Sequence, residues 1–243
     1  MARRRFFVDQ VRNGRAELEG DNAHHLSRVL RVEAGQKFEI SDNSRVWLAE
    51  VETARKNLVT FAVLHEIEPA PELATITLYA ALIKFERFEW AIEKATELGV
   101  SRIIPVETSR SEQGLCQGAM KRVERWRRIA REASEQSRRL RVPEIAGPAK
   151  LDSAISDRAT HRVLLDENPE VAPLLPALRI SPGDSVSLLV GPEGGWIDDE
   201  RRRLAESGWR AASLGPLILR ADTAVCAALA VVNQVILTAS ATE

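Results

Sequence analysis

Val186-Ser187-Leu188-Leu189-Val190 runs straight into Gly191-Pro192-Glu193-Gly194-Gly195, and Asp198-Asp199-Glu200 follows shortly after. An unbroken apolar run, a glycine turn and an acid-rich helix start form the strand-loop-helix unit of an α/β protein. Ligands of such folds sit beyond the carboxyl ends of the strands. Gly191, Gly194 and Gly195 let the backbone approach a ligand or take positive φ, and Pro192 stiffens the turn between them. A second segment, Leu214-Gly215-Pro216-Leu217-Ile218-Leu219-Arg220-Ala221-Asp222-Thr223-Ala224, is nearly uncharged until Arg220. It offers backbone groups and apolar walls to a flat ring, with Asp222 or Thr223 placed to cap the helix that follows.

Around these motifs the pattern alternates. Strands are expected at Leu73 to Ile83, Ser101 to Val106, Arg162 to Asp166, Ser185 to Val190 and Ala211 to Leu214. Helical spacing marks Glu86 to Leu98, stopped by Gly99, and Ala119 to Leu140, whose arginines fall mostly away from the apolar stripe. Such alternation implies a mostly parallel sheet. The apolar stretch Ala224 to Ala239 is shorter than the roughly 20 residues of a membrane span and reads as a buried helix.

Upstream the character changes. Phe6 to Val8, Gln36 to Ile40, Val46 to Val51 and Leu58 to His65 are short β-like pieces, with turn residues Asp42-Asn43-Ser44 between two of them. Glu66 to Glu72, carrying Pro69 and Pro71, reads as a stiff connector. The expected domains are therefore 1–70, small and β-rich, and 71–243, α/β.

Bulk properties narrow the classes. The 243 residues are 44% hydrophobic and 28% charged, with formal net charge -1, which suits a soluble globular protein and excludes disorder. Two cysteines, Cys116 and Cys226, lie too far apart for a metal knuckle or disulfide framework. A reducing cytoplasm fits, and no signal peptide is expected. Charge is unevenly spread: Lys121 to Arg141 holds nine Lys or Arg against three Glu, and Arg3, Arg4, Arg5, Arg28 and Arg31 form a second basic group. Clusters of this kind suit either nucleic acid or a solvated face.

The two glycine-bearing motifs, in this order and spacing, resemble the RsmE family, methyltransferases of the SPOUT superfamily. So do Arg3-Arg4-Arg5-Phe6-Phe7-Val8, His25-Leu26-Ser27-Arg28-Val29-Leu30-Arg31, Lys94-Ala95-Thr96-Glu97-Leu98-Gly99-Val100 with Pro105 and Arg110-Ser111, and Ala133-Ser134-Glu135-Gln136-Ser137-Arg138-Arg139 with Val142-Pro143. The resemblance implies an N-terminal PUA-like β-barrel that binds RNA and a C-terminal SPOUT domain threaded as a trefoil knot. It implies methyl transfer from S-adenosylmethionine to N3 of a uridine in 16S ribosomal RNA of the small ribosomal subunit, by a homodimer without metal. It also places Leu165, Asp166, Val190, Gly191, Pro192, Glu193, Gly194, Gly195, Leu214, Gly215, Ile218, Leu219, Arg220 and Thr223 around the cofactor. RNA contacts would come from Arg3, Arg4, Arg5, His25, Arg28 and Arg31, with Gln136, Arg138 and Arg139 along the same path.

Chemistry agrees with that expectation. No G-x-x-x-x-G-K-S/T pattern is present, and Glu193 would face an anion badly, so a phosphate site is disfavoured. A carboxylate suits the sulfonium and ribose of S-adenosylmethionine better. Uridine N3 must lose its imide proton before it attacks, so a guanidinium that stabilises the anion is needed; Arg220 is the candidate, with Glu193 or Asp222 as proton acceptor. Where the family carries arginine, threonine and glutamate, this chain has Leu217, Ala221 and Asp222. His24-His25 lacks a partner at ligand spacing, so metal binding is not expected. Two other readings stay open: a non-catalytic RNA-binding or ribosome-assembly factor, and a nucleotide-dependent enzyme acting on small molecules.

Overall fold

A computed structural model describes residues 4–72, 74–112, 114–168, 170–181 and 183–241. Its contacts divide the chain into two units, residues 1–71 with 131–142, and residues 72–130 with 143–243.

The first unit is built on one mixed sheet. β1 (Arg5–Phe7), β2 (Val11–Arg12), β3 (Arg15–Glu19), β4 (Lys37–Ser41), β5 (Val46–Arg55) and β6 (Leu58–Ile67) lie in the order β1-β4-β5-β6-β3-β2. β1 pairs with β4 in parallel and the remaining pairs are antiparallel. β2 is too short to have a sequence signal of its own, whereas β3 alternates polar and apolar residues with Ala16 and Leu18 facing inward. Helix α1 (Gly20–His24) continues as a π turn over His25–Val29. Phe6, Leu18, Leu26, Ile40, Val51 and Phe61 fill the core.

Among the described residues the second unit carries seven strands, all parallel. They are β7 (Thr75–Ala81), β8 (Arg102–Glu107), β9 (Glu144–Ile145), β10 (Ala149–Lys150), β11 (His161–Leu165), β12 (Ser185–Val190) and β13 (Arg210–Ala212). The order is β10-β8-β7-β12-β11-β13, with β9 also on β8. Val186 through Val190 are buried without alternation, as expected for a strand covered on both faces.

Among its helices, α2 (Phe85–Glu97) ends at Gly99, whose φ of 89° only glycine adopts cheaply. The single helix expected over 119–140 is two: α3 (Leu115–Met120) and α4 (Val123–Gln136). α4 stops where Arg138 takes a left-handed φ of 57°. The short helices α5 (Asp152–Ile155) and α6 (Leu174–Ala177) and the acid-initiated α7 (Asp198–Glu206) follow.

The last helix corrects the sequence reading. α8 (Ala221–Ser240) has 20 residues, long and apolar enough to cross a membrane by length and composition. It is not buried all round. Val225, Ala228, Leu229, Val232 and Ile236 pack inward, against α2, α6 and β12, while Leu237 stays 52% exposed. Asn233 Nδ2 donates to the Leu98 carbonyl at 2.6 Å, which gives the polar side chain a partner on the packed side.

Candidate active site

β11, β12 and β13 are neighbours that end on the same side of the sheet, because they are parallel. The residues just past their ends, with the first turn of α8, line a cavity of about 190 Å³. Leu165, Asp166, Val190, Gly191, Pro192, Glu193, Gly194, Gly195, Leu214, Gly215, Ile218 and Leu219 lie in its wall. Both glycine-bearing motifs thus meet around one space, although α7 and β13 separate them in the chain.

The loop after β12 is fixed from several directions. Gly195 donates its N–H back to the Pro192 carbonyl at 2.9 Å and has a φ of 69°. Trp196, fully buried, donates its indole N–H to the Leu165 carbonyl at 2.9 Å. A Cβ on Gly191 would lie 2.8 Å from Trp196 Cε2, and one on Gly194 would lie 3.2 Å from Arg110 Cβ. Arg110 donates to the Gly194 carbonyl, and Arg87, from the first turn of α2, is ion-paired with Glu193. Buried Glu200 accepts from the N–H of Ile197 at 3.2 Å and of Ser109 at 2.8 Å, which closes the start of α7.

Arg201 gathers the acidic groups at the end of β11. It donates to Asp166 at 2.7 and 3.2 Å, to Glu167 at 3.3 Å and to the Trp196 carbonyl at 2.6 Å. Burial would raise the Asp166 carboxyl, yet the Arg201 guanidinium and the Asn168 and Glu167 amides hold it below the usual carboxylate range. The site therefore keeps a buried negative charge, stabilised by a charge-assisted pair.

On the second motif, Gly215 has a φ of 123° and its N–H donates to Ser213 Oγ at 3.1 Å. Leu217 and Ile218 stand 77% and 86% exposed. Arg220 is the residue before α8, exposed and outside the cavity wall, as is Thr223. Asp222 Oδ1 accepts the N–H of Thr223 at 3.1 Å. Of the three residues expected in chemistry, Glu193 alone lines the cavity. Glu167, Trp196, Ser213, Leu217, Ala221 and Ala224 line it as well. Of these, Leu217, Ala221 and Ala224 stand in the second quoted motif, Trp196 follows the glycine pair directly, and Glu167 follows Asp166. No group of His, Cys, Asp or Glu among the described residues could hold a metal.

The sequence matches the RNA methyltransferase domain model over residues 70–233 and the RNA methyltransferase PUA domain model over residues 18–64. The chain belongs to the RNA methyltransferase family. It is 32% identical over 237 residues to ribosomal RNA small subunit methyltransferase E of Mycobacterium tuberculosis, covering 94% of this chain and 90% of that one. The Bacillus subtilis protein of the same description is 31% identical over 245 residues, with 94% and 95% covered. A Legionella pneumophila structure solved with bound S-adenosylmethionine superposes with a TM-score of 0.88 at 29% identity, covering 96% and 98%. The Neisseria gonorrhoeae methyltransferase E, also solved with S-adenosylmethionine, gives 0.83 at 27%, covering 96% and 98%.

Within this methyltransferase the basic residues of the first unit are placed unequally. Arg5 is buried, donating to Glu39 at 3.1 and 2.8 Å and to the Arg138 carbonyl at 2.6 Å. Arg138 pairs with the same Glu39. The Arg5 guanidinium thus turns inward instead of presenting charge to solvent, whereas Arg138 stays exposed. Arg139 N–H donates to the Ser134 carbonyl at 3.0 Å, and Gln136 is exposed. Arg4 is half-buried near Glu135, and Arg3 lies outside the described residues. Arg28 and Arg31 are exposed, on and just beyond the π turn that begins at His25. In the second unit Arg122 and Arg125 are engaged by Glu89 at 3.0 and 2.8 Å.

Proposed function

We propose that the chain transfers a methyl group from S-adenosylmethionine to N3 of a uridine in 16S ribosomal RNA of the small subunit, in the cytoplasm and without metal. Support comes above all from the cavity at three adjacent parallel strand ends, where glycine loops leave backbone exposed beside apolar walls. The cradle fits the cofactor: Gly195 and Gly215, with φ of 69° and 123°, take backbone conformations that side-chain-bearing residues rarely adopt, so the cavity wall presents bare backbone there. Leu214, Gly215, Ile218 and Leu219 would flank the adenine, and the 190–195 loop would hold the polar part. When bound, S-adenosylmethionine supplies a methyl group on a sulfonium that needs no acid to leave.

The remaining task for the protein is to favour loss of the imide proton from N3. Arg220 would stabilise the resulting anion across O2 or O4. Glu193, at the cavity wall, or Asp222, in the first turn of α8, would accept the proton. Glu193 is ion-paired with Arg87. The domain division we adopt is 1–70 for RNA binding and 71–243 for catalysis. A homodimer completes this reading, on the family resemblance alone.

Gly195→Arg fills the cradle and tests the reading. Calorimetry should show the native protein binding S-adenosylmethionine and the variant failing to do so; equal binding would place the cofactor elsewhere. Ribosomal RNA from a deletion strain should lack one N3-methyluridine. A full complement of modified uridines would favour the non-catalytic assembly factor.

A further inference from the structure

Three carboxylates line the cavity, and their partners differ. Asp166 is occupied at both oxygens by Arg201, at 2.7 and 3.2 Å, and receives the Asn168 N–H at 3.0 Å. Glu193 is paired with Arg87. Among the described residues Glu167 has a single polar contact, from Arg201 to Oε1 at 3.3 Å, and its side chain is 44% exposed. Its second oxygen has acceptor capacity to spare.

The position of that carboxylate is set from both sides. Arg201 draws it toward α7, and Gly195 makes room for it: a Cβ built on Gly195 would come within 2.3 Å of Glu167 Oε1. The carboxylate therefore occupies the space a side chain at 195 would take, between the end of β11 and the glycine loop. It shares a cavity wall with the apolar residues Leu214, Ile218 and Leu219.

We propose that Glu167 selects the ribose of the cofactor by accepting hydrogen bonds from its 2′- and 3′-hydroxyls. The assignment rests on the cofactor reading above. A carboxylate offers two oxygens whose spacing matches two vicinal hydroxyls, and an acidic side chain beside a glycine loop serves this purpose in other parallel α/β sheets. A cation is the poorer occupant. The Arg201 guanidinium already lies at 3.3 Å, so the ammonium or sulfonium would meet a like charge at the same carboxylate, whereas neutral hydroxyl donors would not. Glu167 is thus a specificity residue distinct from Asp166, which is fully engaged in fixing the floor of the site.

The experiment is calorimetry of the full chain with S-adenosylhomocysteine and with its 2′-deoxy and 3′-deoxy analogues. Removing a hydroxyl should weaken binding to the native protein about 10- to 100-fold, the scale of a hydrogen bond to a charged group. Glu167→Ala should bind S-adenosylhomocysteine more weakly by a similar factor and no longer distinguish it from the deoxy analogues. Glu167→Gln, which keeps one acceptor and the shape, should retain part of the discrimination. An unchanged ratio between parent and deoxy ligands in both variants overturns the assignment while leaving the cofactor reading intact. Failure of the native protein to bind S-adenosylhomocysteine at all overturns both.

Discussion

The indole N–H of Trp196 donates to the carbonyl oxygen of Leu165 at 2.9 Å, fastening the loop that leaves β12 to the last residue of β11. The ring that makes this bond also closes over Gly191, whose added Cβ would lie 2.8 Å from Cε2. Gly191→Ala should therefore push a fully buried ring out of place, at about 1–3 kcal/mol by urea unfolding, and weaken cofactor binding with it. Trp196→Phe removes the donor and leaves the Leu165 carbonyl unpaired, a loss of about 1–3 kcal/mol. An alanine variant as stable as the native protein would mean that the ring relaxes freely and does not brace the loop.

How much of this could be read from residues alone follows from how local each interaction is. The strand from Ser185 to Val190 and the glycine loop after it are legible, because six apolar or small residues and a turn lie side by side in the chain. The braces on that loop are not. Arg87 reaches Glu193 across 106 positions, Arg110 reaches Gly194 across 84, and Arg201 reaches Asp166 across 35, and no periodicity links such pairs. Counting charges misjudges Arg5 for a related reason. Its partner, Glu39, lies on a neighbouring strand, so a residue that reads as solvent-facing is an internal tie. α8 shows the converse limit: its composition suggests burial on all faces, whereas packing covers one side.

Arg28, within the π turn, and Arg31, just beyond it, are both exposed, with Val29 63% exposed between them. π turns often mark functional positions. Replacing both arginines by Ala should weaken binding to small-subunit RNA and reduce the slope of log affinity against log salt by about one unit per lost phosphate contact. Arg5→Ala should act differently, lowering stability because Glu39 loses a buried partner. Measured by filter binding over a salt series, an unaltered slope in the Arg28/Arg31 variant would move the RNA surface off this turn.

Glu135 sets a pH dependence. Burial pushes its carboxyl up to about 7, although Arg131 and Arg4 pull the other way. Because the native state holds the proton more tightly than the unfolded chain, whose value is near 4.5, this group's contribution is full below about pH 4.5. It is lost as pH rises through about 7. Glu135→Gln should remove that loss, gaining up to about 3 kcal/mol relative to the native protein at pH 8 and little at pH 4. Chemical denaturation at the two pH values checks it; a constant difference between variant and native protein would show that Glu135 does not titrate in this window.

Arg220 carries the chemical prediction, and its placement sharpens the test. It precedes α8, with its carbonyl accepting the Ala224 N–H at 2.8 Å, so its backbone is fixed by the helix start while its side chain is exposed and outside the cavity wall. Substitution should therefore leave the cofactor cradle unaltered. Arg220→Ala should lower the single-turnover methylation rate on small-subunit RNA by about 10²-fold or more, the scale for losing a preorganised electrostatic donor, with S-adenosylmethionine affinity nearly unchanged. Arg220→Lys should recover part of the rate, since an ammonium lacks the planar two-pronged contact. Raising the pH should rescue Arg220→Ala in proportion to the uridine anion supplied by solvent, which separates anion stabilisation from RNA positioning. A normal single-turnover rate in Arg220→Ala would remove it from the chemistry and leave Arg87, the guanidinium already paired with Glu193 at the cavity wall, as the cation to examine next.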